Sequence, residues 1–388
     1  MPNKFQTLQD IELDLIKNDL EFYTGLVFEL SKHESIGILF FGLAPYLSLF
    51  KFETYKYFRD NFPNQANFIS GSKNFDDITR ASRMRIKFFD DSTKRIEGVL
   101  ELLEWIRKFH EWHINQHRGL LAPLKRALQD DFGVFLYDSH VIGSTHTGLF
   151  NLGYEKATFP TTNKDNFKIL GEMSKSFGFE LGEYFGTLTQ LPQFTFTTQH
   201  NYCTYGIEDR NLKYKDEKSY KFLNSIFNET NAEDINLGFL ILLTTVNFFQ
   251  YIIKRLVIGS PITVFKLKFI TLYHLESSLG KLQDYFYPKK LLTNRSKEYI
   301  QAILKDKDLK LIKSKTKFRN ILVHYKIENL PTETVNSTID FYRLTEHFFQ
   351  GMTYSEVDQI LDAQIQRIST LFDEWLNWSV RPSQLRNW

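Results

Sequence analysis

The nine residues 317–325, KFRNILVHY, are the stretch around which the rest of this chain is organised. Large side chains recur there at the i, i+3, i+4 and i+7 spacing of a buried helix face, namely at Phe318, Ile321, Leu322 and Tyr325. A second face is polar and mostly basic, with Lys313, Lys317, Asn320 and His324. The pattern predicts an amphipathic helix of about two and a half turns.

This helix lies in a run without carboxylates, from residue 309 to residue 327. A solvated helix face normally mixes acids with lysines, because opposite charges at i, i+4 stabilise each other. The segment 289–319 carries eleven Lys and Arg residues against three acidic ones, a local charge of +8 in a chain whose net charge is +2. Such a basic stripe is typical of a surface that binds a polyanion. The alternative is an ordinary solvated, lysine-rich loop.

Arg319 and Asn320, with His324 four residues after the asparagine and Tyr325 directly behind it, resemble the Arg-Asn-x-x-x-His signature of the HEPN superfamily (higher eukaryotes and prokaryotes nucleotide-binding domain). The resemblance covers roughly the last 150 residues, by typical domain size. It implies an all-α bundle of four to five helices. Many such domains are metal-independent ribonucleases of toxin, CRISPR and phage-defence systems, with composite sites across a dimer. It therefore implies catalytic roles for Arg319, Asn320 and His324, a homodimer, and no cofactor.

The specificity of this signature depends on its form. A looser version, Arg followed by His several residues later, also occurs at Arg107 and His113, with Lys108 after the arginine. The tighter version at Arg319, on an amphipathic helix inside a basic segment, is the stronger signal. The alternative interpretation is an arginine at the surface and a histidine satisfied in the core.

Composition predicts a soluble, globular, mainly α protein. The chain has 388 residues, 42% hydrophobic and 24% charged, enough for two domains. A single cysteine, Cys203, and an N-terminus without an apolar segment predict a cytoplasmic protein. The uncharged run 235–253 is long enough to span a membrane, but its Asn, Gln and Thr residues favour a buried core helix. We therefore expect no membrane association.

By residue composition and pattern, the chain is predicted to divide into a mostly helical N-terminal domain of unknown role, 1–207, and a HEPN-like helical domain, 208–388. In the first part, helices are predicted at 9–30 and 92–117, and short strands or long loops at 131–206, including 194–197. The charged segment 208–234 is the predicted boundary. Beyond it the predicted helices are 236–253, 261–286, the motif helix, and one that begins at Ser355 with Asp358 as its capping partner.

Two further residue groups are candidate site components. Glu276 interrupts the apolar stripe of the 261–286 helix, and a buried acid needs a partner. It is predicted either to support Arg319 or His324 or to lie at an exposed edge. On the 92–117 helix, three histidines share one face, but they lack the HExxH spacing and a completing acid. An ordinary polar face is favoured there, and no metal site is predicted; the three are His110, His113 and His117.

RNA carries its own nucleophile, so cleavage needs proton transfer and stabilisation of phosphate charge. His324 suits the first and Arg319 the second. Asn320 is predicted to orient the imidazole or hold the phosphate. On an ideal helix Arg319 and His324 point about 140° apart, which favours a site shared between two copies. Lys313, Lys315, Lys317 and Tyr325 are predicted to bind RNA.

The sequence therefore predicts a homodimeric, metal-independent endoribonuclease. By analogy it is a toxin or phage-defence effector, with an antitoxin or other regulatory partner. The main alternative is a non-catalytic HEPN-like scaffold that binds RNA or a nucleotide through the same face. A third is a purely structural helical protein. The nuclease interpretation requires Arg319 and His324 to meet around one solvent-reachable, positively charged groove.

Overall fold

In the computed structural model the chain is mainly α-helical, as predicted, with one small four-stranded sheet. The structure describes residues 8–32, 36–90, 95–114, 130–154, 166–194, 207–227, 233–256, 261–327 and 340–387.

The N-terminal part forms helices where apolar residues recur with helical spacing. Its elements are α1 (Leu8–Leu30), α2 (Ile36–Asn61), α3 (Pro63–Ala66), α4 (Lys73–Met84), a short 3-10 helix (Phe88–Asp90) and α5 (Ile96–Ile114). The helix predicted at 9–30 is confirmed as α1. The helix predicted at 92–117 is confirmed as α5 within the described residues, and His117 lies outside them.

The predicted short strands exist, but they occupy only part of the segment 131–206. A hairpin of β1 (Phe132–Tyr137) and β2 (His140–Ser144) turns through two residues with positive φ, Asp138 (+48°) and Ser139 (+71°). Such a two-residue turn matches the right-handed twist of antiparallel strands. The hairpin is followed by α6 (Thr145–Asn151) and α7 (Asn166–Leu188). The alternating stretch 194–197, for which short strands or long loops are predicted, lies almost entirely outside the described residues.

The predicted boundary segment, 208–234, contains regular structure. It includes β3 (Leu212–Glu217) and α8 (Ser219–Ser225). The sheet order is β2-β1-β3-β4, in which the last strand is β4 (Arg386–Asn387), and all pairings are antiparallel. Chain from both sides of residue 207 therefore builds one sheet, and the division into two domains stays a prediction.

Among its described residues, the C-terminal part contains the predicted helices and three more. The first is α9 (Glu233–Asn247), which continues as a π-helical segment (Phe248–Ile253) and a last α-helical turn (Lys254–Leu256). The others are α10 (Pro261–Phe286), α11 (Asn294–Leu304), α12 (Lys307–Ser314), α13 (Thr316–His324), α14 (Phe341–Phe348) and α15 (Tyr354–Trp375). The start of α15 corrects the predicted cap. Thr353 and Glu356 form the capping box, because glutamate is long enough to reach back to the Thr353 N–H.

Two long helices, α10 and α2, position the candidate site, because both contact the motif helix α13. The residues of α10 are mostly buried, and α10 packs against α1, α11, α12, α13 and α15. α13 contacts both α10 and α2, so N-terminal residues lie beside the motif helix. The apolar helix Glu233–Ile253 is long enough to cross a membrane, but 78% of its most apolar window is buried inside the protein, as in a core helix.

Candidate functional site

The motif helix α13 buries the face that its sequence predicted. Phe318 and Leu322 are fully buried, and Ile321 and Tyr325 are almost so. The helix ends at His324 because Tyr325 adopts a left-handed conformation, with φ +54°, that does not continue an α-helix. His324 is therefore the last helical residue, next to a buried anchor.

Arg319 and His324 border the same small pocket within one chain. Three other polar residues line it, Arg83, Lys87 and His274, and the remaining walls are aliphatic. The pocket has a volume of about 20 Å³, room for about one water molecule. The separation of about 140° on an ideal helix does not prevent both residues from bordering this pocket. The two residues thus share one pocket within a single chain, and the homodimer stays a prediction.

A buried carboxylate that the sequence interpretation missed holds His324. Glu53 on α2 accepts a hydrogen bond from His324 Nδ1 at 2.8 Å and one from Arg83 Nη1 at 2.9 Å. The Glu53 side chain is 1% exposed, whereas that of His324 is 39% exposed. With Nδ1 directed at the carboxylate, Nε2 is the ring nitrogen that has no partner among the described residues. The available signal was an acid within a long, largely apolar helix, since such an acid needs a partner.

Arg319 is held by weaker contacts. Its Nη1 donates to Asn320 Oδ1 at 3.0 Å, and its guanidinium lies 5.1 Å from the centre of the Tyr273 ring. Its Nε is buried, and among the described residues it has no hydrogen-bond partner. No described carboxylate forms an ion pair with it. Asn320 thus orients the guanidinium and not the imidazole of His324, which corrects one of its two predicted roles.

A second histidine in the pocket wall is kept neutral. His274 on α10 is 2% exposed, and its Nδ1 lies 3.0 Å from Asp90 Oδ2. Burial is the main cause that lowers the pKa of His274 to about 4; the hydrogen bond with Asp90 opposes this shift, and the nearby charge of Arg319 contributes to it. Burial alone raises the pKa of Asp90, but hydrogen bonds from His274, Ser277 and Lys281 outweigh it and hold that pKa far below its usual range.

Glu276 does not support Arg319 or His324, contrary to one of the two predictions made for it. Burial raises the pKa of its carboxyl group, and the largest opposing influence is the positive charge of Lys313. The acid is half-buried on α10, where the positive charges that act on it are Lys313 and Lys310 of α12. It lies two residues past His274 and so on another side of the helix.

Of the three lysines predicted to bind RNA, two contact neighbouring side chains. Lys313 donates from Nζ to Ser277 Oγ at 2.6 Å, and Lys315 lies 5.4 Å from the centre of the Phe349 ring. Lys317 is exposed on α13. Lys317 is therefore the predicted lysine with the most accessible charge.

Tyr325 is placed where it does not contact RNA, which corrects its predicted role. Its side chain is 1% exposed, and its hydroxyl donates to Asp19 Oδ2 at 2.5 Å. Lys266 Nζ in turn donates to the Tyr325 hydroxyl at 2.8 Å and forms a short ion pair with Asp19. The network joins α1, α10 and the end of α13. The position of Tyr325 at i+7 of the apolar stripe was the sequence signal for its burial.

The looser sequence match proves to be structural. Arg107 on α5 forms ion pairs with Glu233 at 3.0 Å and Asp234 at 3.3 Å, at the start of α9. The side chains of His110 and His113, and all of His117, lie outside the part of the chain described in detail. Among the described residues, no group of three or more His, Cys, Asp or Glu side chains is arranged to hold a metal ion.

No protein family model, curated protein or solved structure matches this chain. The resemblance to the HEPN superfamily therefore depends on Arg319, Asn320, His324 and their helix alone.

Proposed function

We propose that this chain is a metal-independent endoribonuclease whose site is the pocket bordered by Arg319 and His324. One observation carries the proposal. One pocket is bordered both by His324 and by Arg319. The His324 side chain is 39% exposed and its Nε2 has no partner among the described residues, and Arg319 has no carboxylate partner among them. These are the groups for proton transfer and for stabilising phosphate charge.

The chemistry uses the nucleophile that RNA carries. The 2′-hydroxyl oxygen attacks the adjacent phosphorus and loses its proton to a base. The bond to the 5′-oxygen breaks, and that oxygen takes up a proton, which leaves a 2′,3′-cyclic phosphate and a 5′-hydroxyl end. His324 performs one proton transfer through Nε2, and in a homodimer the second copy of His324 performs the other. Arg319 stabilises the charge that develops on the phosphoryl oxygens.

The phosphate group binds at the mouth of the pocket. An interior of about 20 Å³ is too small to enclose a nucleotide, whereas the His324 side chain is 39% exposed and can be reached from outside. Lys87 adds a positive charge to the pocket wall, whereas the charge of Arg83 is balanced by the Glu53 carboxylate. The basic segment 289–319 leads into α13, and the RNA strand binds along it.

The test is cleavage of single-stranded RNA by the full-length chain in the presence of EDTA. His324→Ala is expected to lower the rate about 10²- to 10⁴-fold, the usual contribution of a general acid or base. A matched control is His140→Ala, because His140 is also partly exposed, at 36%, and its Nδ1 bonds a carboxylate, Asp373, at 2.7 Å. That variant is expected to cleave at the wild-type rate.

Arg319→Ala is expected to lower the rate about 10²- to 10³-fold, as when a group that stabilises an oxyanion is removed. Its matched control is Arg255→Ala, since Arg255 also lies over a tyrosine ring, that of Tyr137, at 5.0 Å. A substrate with 2′-deoxyribose at the cleavage site is expected to resist cleavage. Unchanged cleavage in both His324→Ala and Arg319→Ala refutes the proposal.

The same experiments distinguish the non-catalytic alternative. An RNA- or nucleotide-binding scaffold shows salt-sensitive binding that Arg319→Ala weakens, with no cleavage by the wild-type chain. A toxin or phage-defence role, with an antitoxin or regulatory partner, follows from the resemblance. It predicts growth arrest when the wild-type chain is expressed and none with His324→Ala.

A further inference from the structure

Two residues from the N-terminal helices complete the surroundings of His324. Glu53 lies on α2 and Arg83 on α4, and the hydrogen bond from His324 to Glu53 joins residues 271 positions apart in the chain. The Glu53 side chain is 1% exposed, so water does not compete for its oxygens. Each carboxylate oxygen has its own donor: Oε1 accepts from Arg83, and Oε2 accepts from His324.

We infer that Glu53 is a positioning residue that sets the tautomer of His324, and that Arg83 determines how Glu53 does so. The catalytic consequence rests on the function proposed above, whereas the tautomer is a property of the folded chain alone. The neutral imidazole carries its proton on Nδ1, where the carboxylate accepts it, and keeps a lone pair on Nε2. Nε2 is the nitrogen that faces the substrate.

The part played by Arg83 follows from its hydrogen-bonding capacity. A guanidinium donates hydrogen bonds and never accepts them. Whatever group stands at position 53 must therefore present an acceptor to Arg83. A carboxylate has two acceptor oxygens and satisfies both neighbours, whereas an amide has one acceptor and one donor end. The order of the three side chains thus decides which end of an amide meets His324.

Glu53→Gln tests this order, because it predicts which ring nitrogen of His324 carries the proton. The amide oxygen is expected to accept from Arg83, which leaves the NH₂ group facing Nδ1 of His324. Nδ1 must then accept, and the proton moves to Nε2. Cleavage is expected to fall about 10²- to 10⁴-fold, as in other enzymes where an amide in place of a carboxylate selects the wrong histidine tautomer.

Adding Arg83→Met to Glu53→Gln is expected to restore the tautomer. Without the guanidinium the amide can turn, so that its oxygen accepts from Nδ1–H again. Methionine also keeps apolar contact with the Phe52 ring, which the Arg83 guanidinium covers at 3.6 Å. The double variant is expected to cleave at least about tenfold faster than Glu53→Gln alone. A merely structural ion pair predicts the opposite, because a second core substitution adds damage.

The tautomer is read directly by long-range ¹H–¹⁵N correlation spectra of the ¹⁵N-histidine-labelled full-length chain, in which a His324→Gln spectrum identifies the signals of His324 among ten histidines. The expected pattern is Nδ1–H in the wild type, Nε2–H in Glu53→Gln, and Nδ1–H in the double variant. Glu29→Gln, which neutralises another buried acid ion-paired to Lys32 at 2.8 Å, is expected to leave both the tautomer and cleavage unchanged.

The outcomes separate this inference from the proposed function. A wild-type chain that shows Nδ1–H at His324 but does not cleave RNA supports the positioning role of Glu53 and removes the nuclease. An Nε2–H tautomer in the wild type refutes the inference, even if Glu53→Gln does not fold. The inference is also refuted if the double variant cleaves no faster than Glu53→Gln, provided that thermal unfolding curves show both variants to be folded.

Discussion

The neutral His274 in the pocket wall makes the stability of this protein depend on pH in a defined window. Its pKa in the folded chain is about 4, chiefly because of burial, against 6.5 in an exposed histidine. Between these two values the unfolded chain binds a proton and the folded chain does not. The free energy of unfolding therefore falls as the pH is lowered from 6.5 to 4, and stays constant above 6.5 as far as this group is concerned.

The size of the effect follows from the shift. A difference of one pKa unit corresponds to about 1.4 kcal/mol, so the drop from 6.5 to about 4 is worth about 3 kcal/mol at the lower end of the window. Asp90 adds to the loss at still lower pH, because its pKa in the folded chain lies far below the ordinary value and its protonation favours the unfolded chain.

The assay is urea unfolding at a series of pH values between 4 and 7.5, followed by tryptophan fluorescence, for the wild type and His274→Asn. The asparagine amide keeps a donor toward Asp90 but does not titrate. We expect the wild type to lose about 3 kcal/mol more than the variant between pH 7 and pH 4. Parallel curves for the two proteins, at whatever absolute stability, contradict a buried neutral His274.

Three further predictions concern the end of α13 and its basic face. Tyr325→Phe removes the hydroxyl that joins Lys266 to Asp19 and is expected to lower the free energy of unfolding by about 1–3 kcal/mol. The control is Tyr342→Phe, at a 42% exposed position, which is expected to change that free energy by less than about 0.5 kcal/mol in the same urea titration. Lys266→Met leaves the Asp19 carboxylate buried beside hydroxyl donors only, and is expected to cost about 3–5 kcal/mol, a loss that Asp19→Asn in the same chain reduces. Lys317→Ala is expected to weaken RNA binding equally for different RNA sequences and to reduce the slope of log affinity against log salt concentration by about 1. The free energy of unfolding is expected to stay unchanged. An unchanged salt slope means that the RNA binds elsewhere on the protein.

Much of the helical framework was predictable, because helix formation is decided by residues close in sequence. The predicted helix 261–286 agrees with α10 at both ends. Its start was predictable because a proline, Pro261, occupies the first helical position. The spacing of Phe318, Ile321 and Leu322 identified the buried side of α13. The same spacing pointed to burial of Tyr325, and the expectation that this residue contacts RNA went against the pattern.

Strand β3 shows why other parts were missed. Residues Leu212–Glu217 have the charged composition of a linker, and nothing local marks them as a strand. They become one because β1 offers them a row of backbone partners on the other side of the predicted boundary. Pairing of this kind depends on where the rest of the chain lies, which a local pattern does not report.

The candidate site divides in the same way. The sequence by itself determined that Arg319 and His324 share a basic, amphipathic helix without acids nearby, since that is a matter of spacing along one element. Only the tertiary structure brought Glu53, Arg83 and His274 to that helix, from positions about 50 to 270 residues away. Hydrogen bonds and burial act between neighbours in space, so the partners of His324 emerge only when α2, α4 and α10 have packed around it.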